Sequence, residues 1–97
     1  MEEKQYKLEK AFQSDAIKHL KGLGYFVFKC ESQTRGIPDV FLLKSGVHIF
    51  IELKLPKGQV SKIQQLMIDR INSNGGNAFV AYSMADINRI IKECSNE

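Results

Sequence analysis

The stretch that decides the fold runs from residue 36 to residue 54: Gly36-Ile37-Pro38-Asp39-Val40-Phe41-Leu42-Leu43-Lys44-Ser45-Gly46-Val47-His48-Ile49-Phe50-Ile51-Glu52-Leu53-Lys54. Two strand-like runs, Asp39 to Leu43 and Val47 to Lys54, flank the turn signal Lys44-Ser45-Gly46, so the segment reads as a hairpin. With Ser45 and Gly46 as a two-residue loop, Lys44 faces Val47, Leu42 faces Ile49 and Asp39 faces Glu52. A loop from Lys44 to Val47 keeps this register and a three-residue loop breaks it, so the pairing rests on the turn type. Side chains alternate along a strand, which places His48, Phe50, Glu52 and Lys54 on one face. Val47, Ile49, Ile51 and Leu53 take the other face and are all apolar, as a strand packed on a helix requires.

Outward from the hairpin, the chain alternates short elements. Leu8, Phe12, Ala16, Leu20 and Leu23 recur at helical spacing and predict a helix from about Gln5 to Leu23, ended by Gly22 and Gly24. Tyr25 to Cys30 suits a strand, and a polar loop from Glu31 to Ile37 closes at Pro38. After Pro56 and Gly58, Ser61 starts a helix to about Asn74, and Asn77 to Tyr82 is a last strand. Ser83 then caps a closing helix through Ile87, Ile90 and Ile91 to about Cys94. The order α-β-β-β-α-β-α predicts an α/β fold, a mixed four-stranded sheet with flanking helices.

The composition bounds the function. A chain of 97 residues, 43% apolar and 26% charged, predicts a single domain over residues 1–97. No apolar run approaches the roughly 18 residues of a membrane span, and the opening Met-Glu-Glu-Lys-Gln-Tyr lacks the pattern of a secretion signal. The expected location is therefore a reducing cytoplasm, with Cys30 and Cys94 as free thiols. A net charge of +3 permits nucleic acid without demanding it. There is no Gly-rich phosphate loop and no Cys-x-x-Cys metal motif, and the spacing gives no support to a Ser/His/Asp or Cys/His set.

The candidate chemistry lies at the open end of the hairpin. Asp39 and Glu52 stand opposite each other, and like charges across a ladder need a shared proton or a cation to offset them. Lys54 lies roughly 7 Å beyond Glu52 on the same face, at about 3.3 Å per residue. A surface salt bridge is the competing explanation of this trio. Glu9 falls between Ala16 and Leu20 on the helical wheel, inside the apolar stripe, so it is paired, bound to a cation, or lifted to the rim by the helix start. Hard carboxylate oxygens without a His-Cys cluster suit Mg²⁺ or Mn²⁺ rather than zinc, and His19 and His48 are read as non-ligating.

Pro38-Asp39 followed by Glu52-Leu53-Lys54 resembles the PD-(D/E)xK nuclease superfamily. The flanking Gly36-Ile37-Pro38-Asp39-Val40, with Ser61-Lys62-Ile63-Gln64, is similar to its VRR-NUC branch, the virus-type replication and repair nucleases, and the likeness runs from Glu9 to Tyr82. The resemblance implies a restriction-endonuclease-like core. It implies that Asp39, Glu52, the backbone carbonyl of Leu53 and Glu9 hold Mg²⁺ or Mn²⁺, and that Lys54 orients or deprotonates the attacking water and stabilises phosphate charge. Gln64 matches a helix glutamine that holds Lys54 or a water, although Ser61-x-x-Gln64 is equally a capping box. Arg35, Lys57 and Lys62 are candidate phosphate contacts, with solvated surface charge as the alternative.

The expected activity is metal-dependent hydrolysis of DNA phosphodiesters, leaving 5′-phosphate and 3′-hydroxyl ends. Small members of the branch look like homodimers acting on four-way junctions, which makes Holliday junction resolution in a bacterial or phage-infected cell the preferred reading. An inactive DNA-binding module, or an endonuclease cutting RNA or unbranched DNA, is the alternative. No membrane partner is expected.

Overall fold

A computed structural model describes residues 6–95. The elements are α1 (Glu9–Gly22), β1 (Phe26–Lys29), β2 (Val40–Lys44), β3 (Val47–Leu53), α2 (Lys62–Ser73), β4 (Ala78–Ala81) and α3 (Met84–Cys94), in the order expected. They form one four-stranded sheet ordered β1-β2-β3-β4, with β1–β2 and β2–β3 antiparallel and β3–β4 parallel. The parallel pair follows from the α2 crossover, which returns the chain to the start of the sheet before β4 begins.

The turn between β2 and β3 settles the register. Ser45 and Gly46 have φ of 51° and 82°, the paired positive values of a type I′ two-residue loop, and Lys44 pairs with Val47 and Leu42 with Ile49. The ladder reaches Val40 and Ile51, so the next positions, Asp39 and Glu52, meet where β2 begins.

Each face of the sheet has a different fate. Val27, Val40, Leu42, Ile49, Ile51, Leu53 and Ala81 form one buried face, covered by Phe12, Ala16 and Leu20 of α1 and by Ile87 and Ile90 of α3. His19 of α1 bonds Asn88 of α3 at 2.7 Å, tying the two helices together on that side. On the other face α2 packs on β4 through Ile68, and Asn72 of α2 bonds the backbone of Ala78 in both directions. The β1–β3 part of that face carries a row of aromatic rings, Phe26, Phe28, Phe41 and Phe50, with neighbouring centroids 5.1 to 5.6 Å apart. Phe26 and Phe28 remain 61% and 44% exposed.

Helix α1 starts later than its periodicity suggests. Leu8 is the N-cap and Leu23 the C-cap, and both are exposed rather than part of the buried stripe. The predicted start, Gln5, lies outside the described residues. Cys30 and Cys94 are free, and no described helix is long and apolar enough to cross a membrane.

Candidate active site

Three elements build the site. The loop before β2 delivers Asp39, the end of β3 delivers Glu52, Leu53 and Lys54, and the first turn of α2 delivers Gln64. The Asp39 carboxylate accepts a hydrogen bond from the Leu53 amide at 2.8 Å, and its own carbonyl accepts one from the Cys30 amide at 2.8 Å. Asp39 is therefore clamped between β1 and β3. In an extended strand the N–H and C=O of one residue leave on the same side, so the Leu53 carbonyl opens toward the same gap.

Glu52 is the buried polar side chain of the core, 2% exposed. Its Oε2 accepts from Gln64 Nε2 at 3.1 Å and lies 3.7 Å from the Lys54 ammonium. Its Oε1 is buried with no hydrogen-bond partner. Burial, followed by the adjacent Asp39 charge, pushes the Glu52 carboxyl up to about 8; the hydrogen bond that its protonated form makes to Asp39 and the charge of Glu9 push the same way, and Lys54 opposes them. Burial first, and then Asp39, also raise the Cys30 thiol.

Gln64 caps its helix and also reaches the site, where its partner is Glu52 rather than the expected Lys54. Its Oε1 accepts from the Ser61 amide at 2.9 Å while the Ser61 hydroxyl accepts from the Gln64 amide, completing the capping box. The side-chain NH₂ remains free for Glu52. The helix cap thus aims an amide at the buried acid.

Glycine makes the approach of the Asp39 loop possible. Gly36 has φ of 83°, and a Cβ there would sit 2.6 Å from the Ile63 carbonyl oxygen of α2. The close packing brings the loop carrying Arg35 against the helix turn carrying Lys62. Arg35, Lys57 and Lys62 are all exposed, and none bonds Asp39, Glu52 or Lys54.

Glu9 does not face inward. It is exposed, at the first residue of α1, though its charge still reaches Glu52. Among the described residues no group of three or more His, Cys, Asp or Glu is arranged to hold an ion. The converging acids are two, Asp39 and Glu52. The Leu53 amide donor and the close packing of Gly36 were not predicted; a Gly before Ile-Pro-Asp was the available signal for the second.

The open mixed sheet, with acids, amine and amide gathered at the end of one hairpin, defines a restriction-endonuclease-like α/β domain. The VRR-NUC domain model matches residues 1–85, and the chain belongs to that family of nuclease domains, whose substrate is DNA. A solved structure described as a VRR_NUC domain is similar at 28% identity, covering 90% of this chain and 97% of that one, with a TM-score of 0.78. None of the curated proteins gives a significant match.

Proposed function

We propose that the protein is a Mg²⁺- or Mn²⁺-dependent, structure-specific DNA endonuclease that acts as a homodimer on four-way junctions. The observation that carries the metal is the orphaned Glu52 Oε1, a buried carboxylate oxygen without a donor beside a second acid. Such an oxygen costs a desolvation penalty unless a proton or a cation meets it. The donor set fits the group: Mg²⁺ is commonly held by one or two carboxylates, completed by water and substrate phosphate, so Asp39, Glu52 and the Leu53 carbonyl suffice with Glu9 at the rim.

Bound there, Mg²⁺ or Mn²⁺ supplies Lewis-acid polarisation of the scissile phosphate. The chain supplies the rest. Asp39 is fixed by the Leu53 amide, and Glu52 is fixed by Gln64, so neither acid must reorganise when substrate arrives. Lys54, tethered by Glu52 at 3.7 Å, presents its ammonium to the attacking water and to the charge developing on phosphate oxygens. Arg35 and Lys62, brought together where the loop packs on α2, and Lys57 beyond β3 are placed to hold flanking phosphates.

The uncharged aromatic row of β1 to β3 supports the dimer, because exposed contiguous apolar surface of this kind marks protein contacts. Two copies present two sites to a branched substrate. Free thiols suit a reducing cytoplasm, the location we propose.

Incubation of the purified protein with synthetic four-way junctions, matched linear duplexes and RNA tests the reading. Junction cutting that requires Mg²⁺ or Mn²⁺ and is lost in Lys54→Gln supports it. Equal cutting of junction and linear duplex removes the structure-specific part, and cutting of RNA alone removes the DNA part.

A further inference from the structure

Outside the cleavage site, α1 carries a stripe of exposed lysines. At 3.6 residues per turn, Lys10, Ser14, Lys18 and Lys21 fall within a sector roughly 80° wide, while Glu9 and Asp15 point elsewhere. The lysines are exposed, and among the described residues none is in an ion pair. Lys18 and Lys21, three apart, repel one another on a helix, which is a cost that an anionic ligand would offset. Across from them Lys29 of β1 completes a groove of about 360 Å³, lined by Lys10, Gln13, Ser14, Ile17, Lys18 and Lys29.

The groove starts beside the acids. Lys29 pairs with Val40, the residue after Asp39, and Lys10 lines the same groove from the first turn of α1. From there the stripe runs away along the helix for about 16 Å, at 1.5 Å per residue. One strand of a duplex carries a phosphate about every 3.4 Å of axis, so this track spans roughly five of them. It lies on the α1 side of the sheet, whereas Arg35 and Lys62 lie on the α2 side.

We infer that Lys10, Lys18, Lys21 and Lys29 form a second phosphate track that holds the backbone of a duplex arm along α1, leading away from the cleavage site. The track rests on the reading of the site as one that takes nucleic acid. Cations on both sides of the sheet end would fix the path of the helix across Asp39 and Glu52, with the position of the cut set by backbone contacts rather than by base reading.

Fluorescence anisotropy with labelled duplex in EDTA, across a salt series, tests it. Each lost phosphate contact lowers the slope of log K against log salt by about 0.9. The triple variant Lys10→Gln/Lys18→Gln/Lys29→Gln is expected to lower that slope by about 2 to 3 and weaken binding at least about ten-fold at low salt. Lys29→Gln alone is expected to lower it by about 0.9. A control with the same charge change elsewhere, Arg70→Gln/Arg89→Gln/Lys92→Gln, is expected to bind as wild type. All these side chains are exposed, and circular dichroism verifies the fold.

An unchanged slope in the triple variant, or an equal loss in the control, overturns the track. The two readings fail separately. A wild type that binds duplex with a lysine-dependent slope but cuts nothing in Mg²⁺ supports the track and removes the nuclease; a wild type that cuts while the triple variant keeps its slope removes the track.

Discussion

Replacing Glu52 by Gln takes a titratable acid out of the most closed part of the site and keeps its shape. The new carboxamide oxygen still accepts from Gln64, while the ion pair with Lys54 and the proton shared with Asp39 are lost. In the metal-free protein the Glu52 carboxyl sits at about 8, against 4.5 for the free group. An acid raised in this way binds its proton more tightly folded than unfolded. The stability it contributes is full below about pH 4.5 and is lost as the pH rises through about 8. At about 1.36 kcal/mol per pKa unit this is on the order of a few kcal/mol, with Asp39 sharing the proton. The variant carries no such proton. In EDTA, thermal melts between pH 5 and 8.5 should therefore show wild type falling away from Glu52→Gln as the pH rises. For a domain of this size the gap near pH 8 is on the order of 10 °C in favour of the variant. Parallel melting curves across the range, or a wild type more stable than the variant at pH 8, would refute the buried-acid reasoning.

Other outcomes follow from single contacts. Ser61→Ala removes half of the capping box and should cost about 1 kcal/mol in urea unfolding with little change in cleavage, whereas Gln64→Ala should cost a similar amount and also slow cleavage, because only Gln64 touches Glu52. Gly36→Ala combines a positive φ with a Cβ 2.6 Å from backbone, so a loss of about 2–3 kcal/mol and a drop in cleavage are expected; an Ala variant as stable and active as wild type would contradict the packing of the Asp39 loop on α2. Phe28→Glu places a charge in the exposed aromatic row and should yield a folded chain of 11.0 kDa by sedimentation, where the proposed dimer predicts twice that mass for wild type. A variant that remains dimeric would move the subunit contact elsewhere.

The hairpin was legible because its turn chemistry leaves little choice. Ser-Gly between apolar runs selects a two-residue loop, the loop sets the register, and the register brings Asp39 to Glu52. The capping box at Ser61 was legible for the same reason, as a local pattern with a local cause. What sequence could not give was where patterns stop. A helical wheel reports the angle of Glu9 but not that α1 begins there, and the end effect turned an apparently inward acid into an exposed one, along with Leu8. Gln64 presented two competing explanations: the capping box forms as expected, while the side-chain amide bonds Glu52 rather than Lys54, a partner that only the packing of α2 against the sheet brings within reach. The lysine stripe of α1 was present as spacing, but its meaning depended on Lys29, which only the fold brings alongside.

The central claim is that Asp39 and Glu52 hold a divalent ion at the end of the hairpin. Isothermal titration of Mn²⁺ into wild type and Glu52→Gln, each with uncut duplex bound in place of turnover, measures this directly. The account predicts saturable uptake by wild type and a loss of at least about ten-fold in affinity in the variant, as removal of a ligand oxygen requires. Equal uptake by both proteins, or none by wild type, would contradict it.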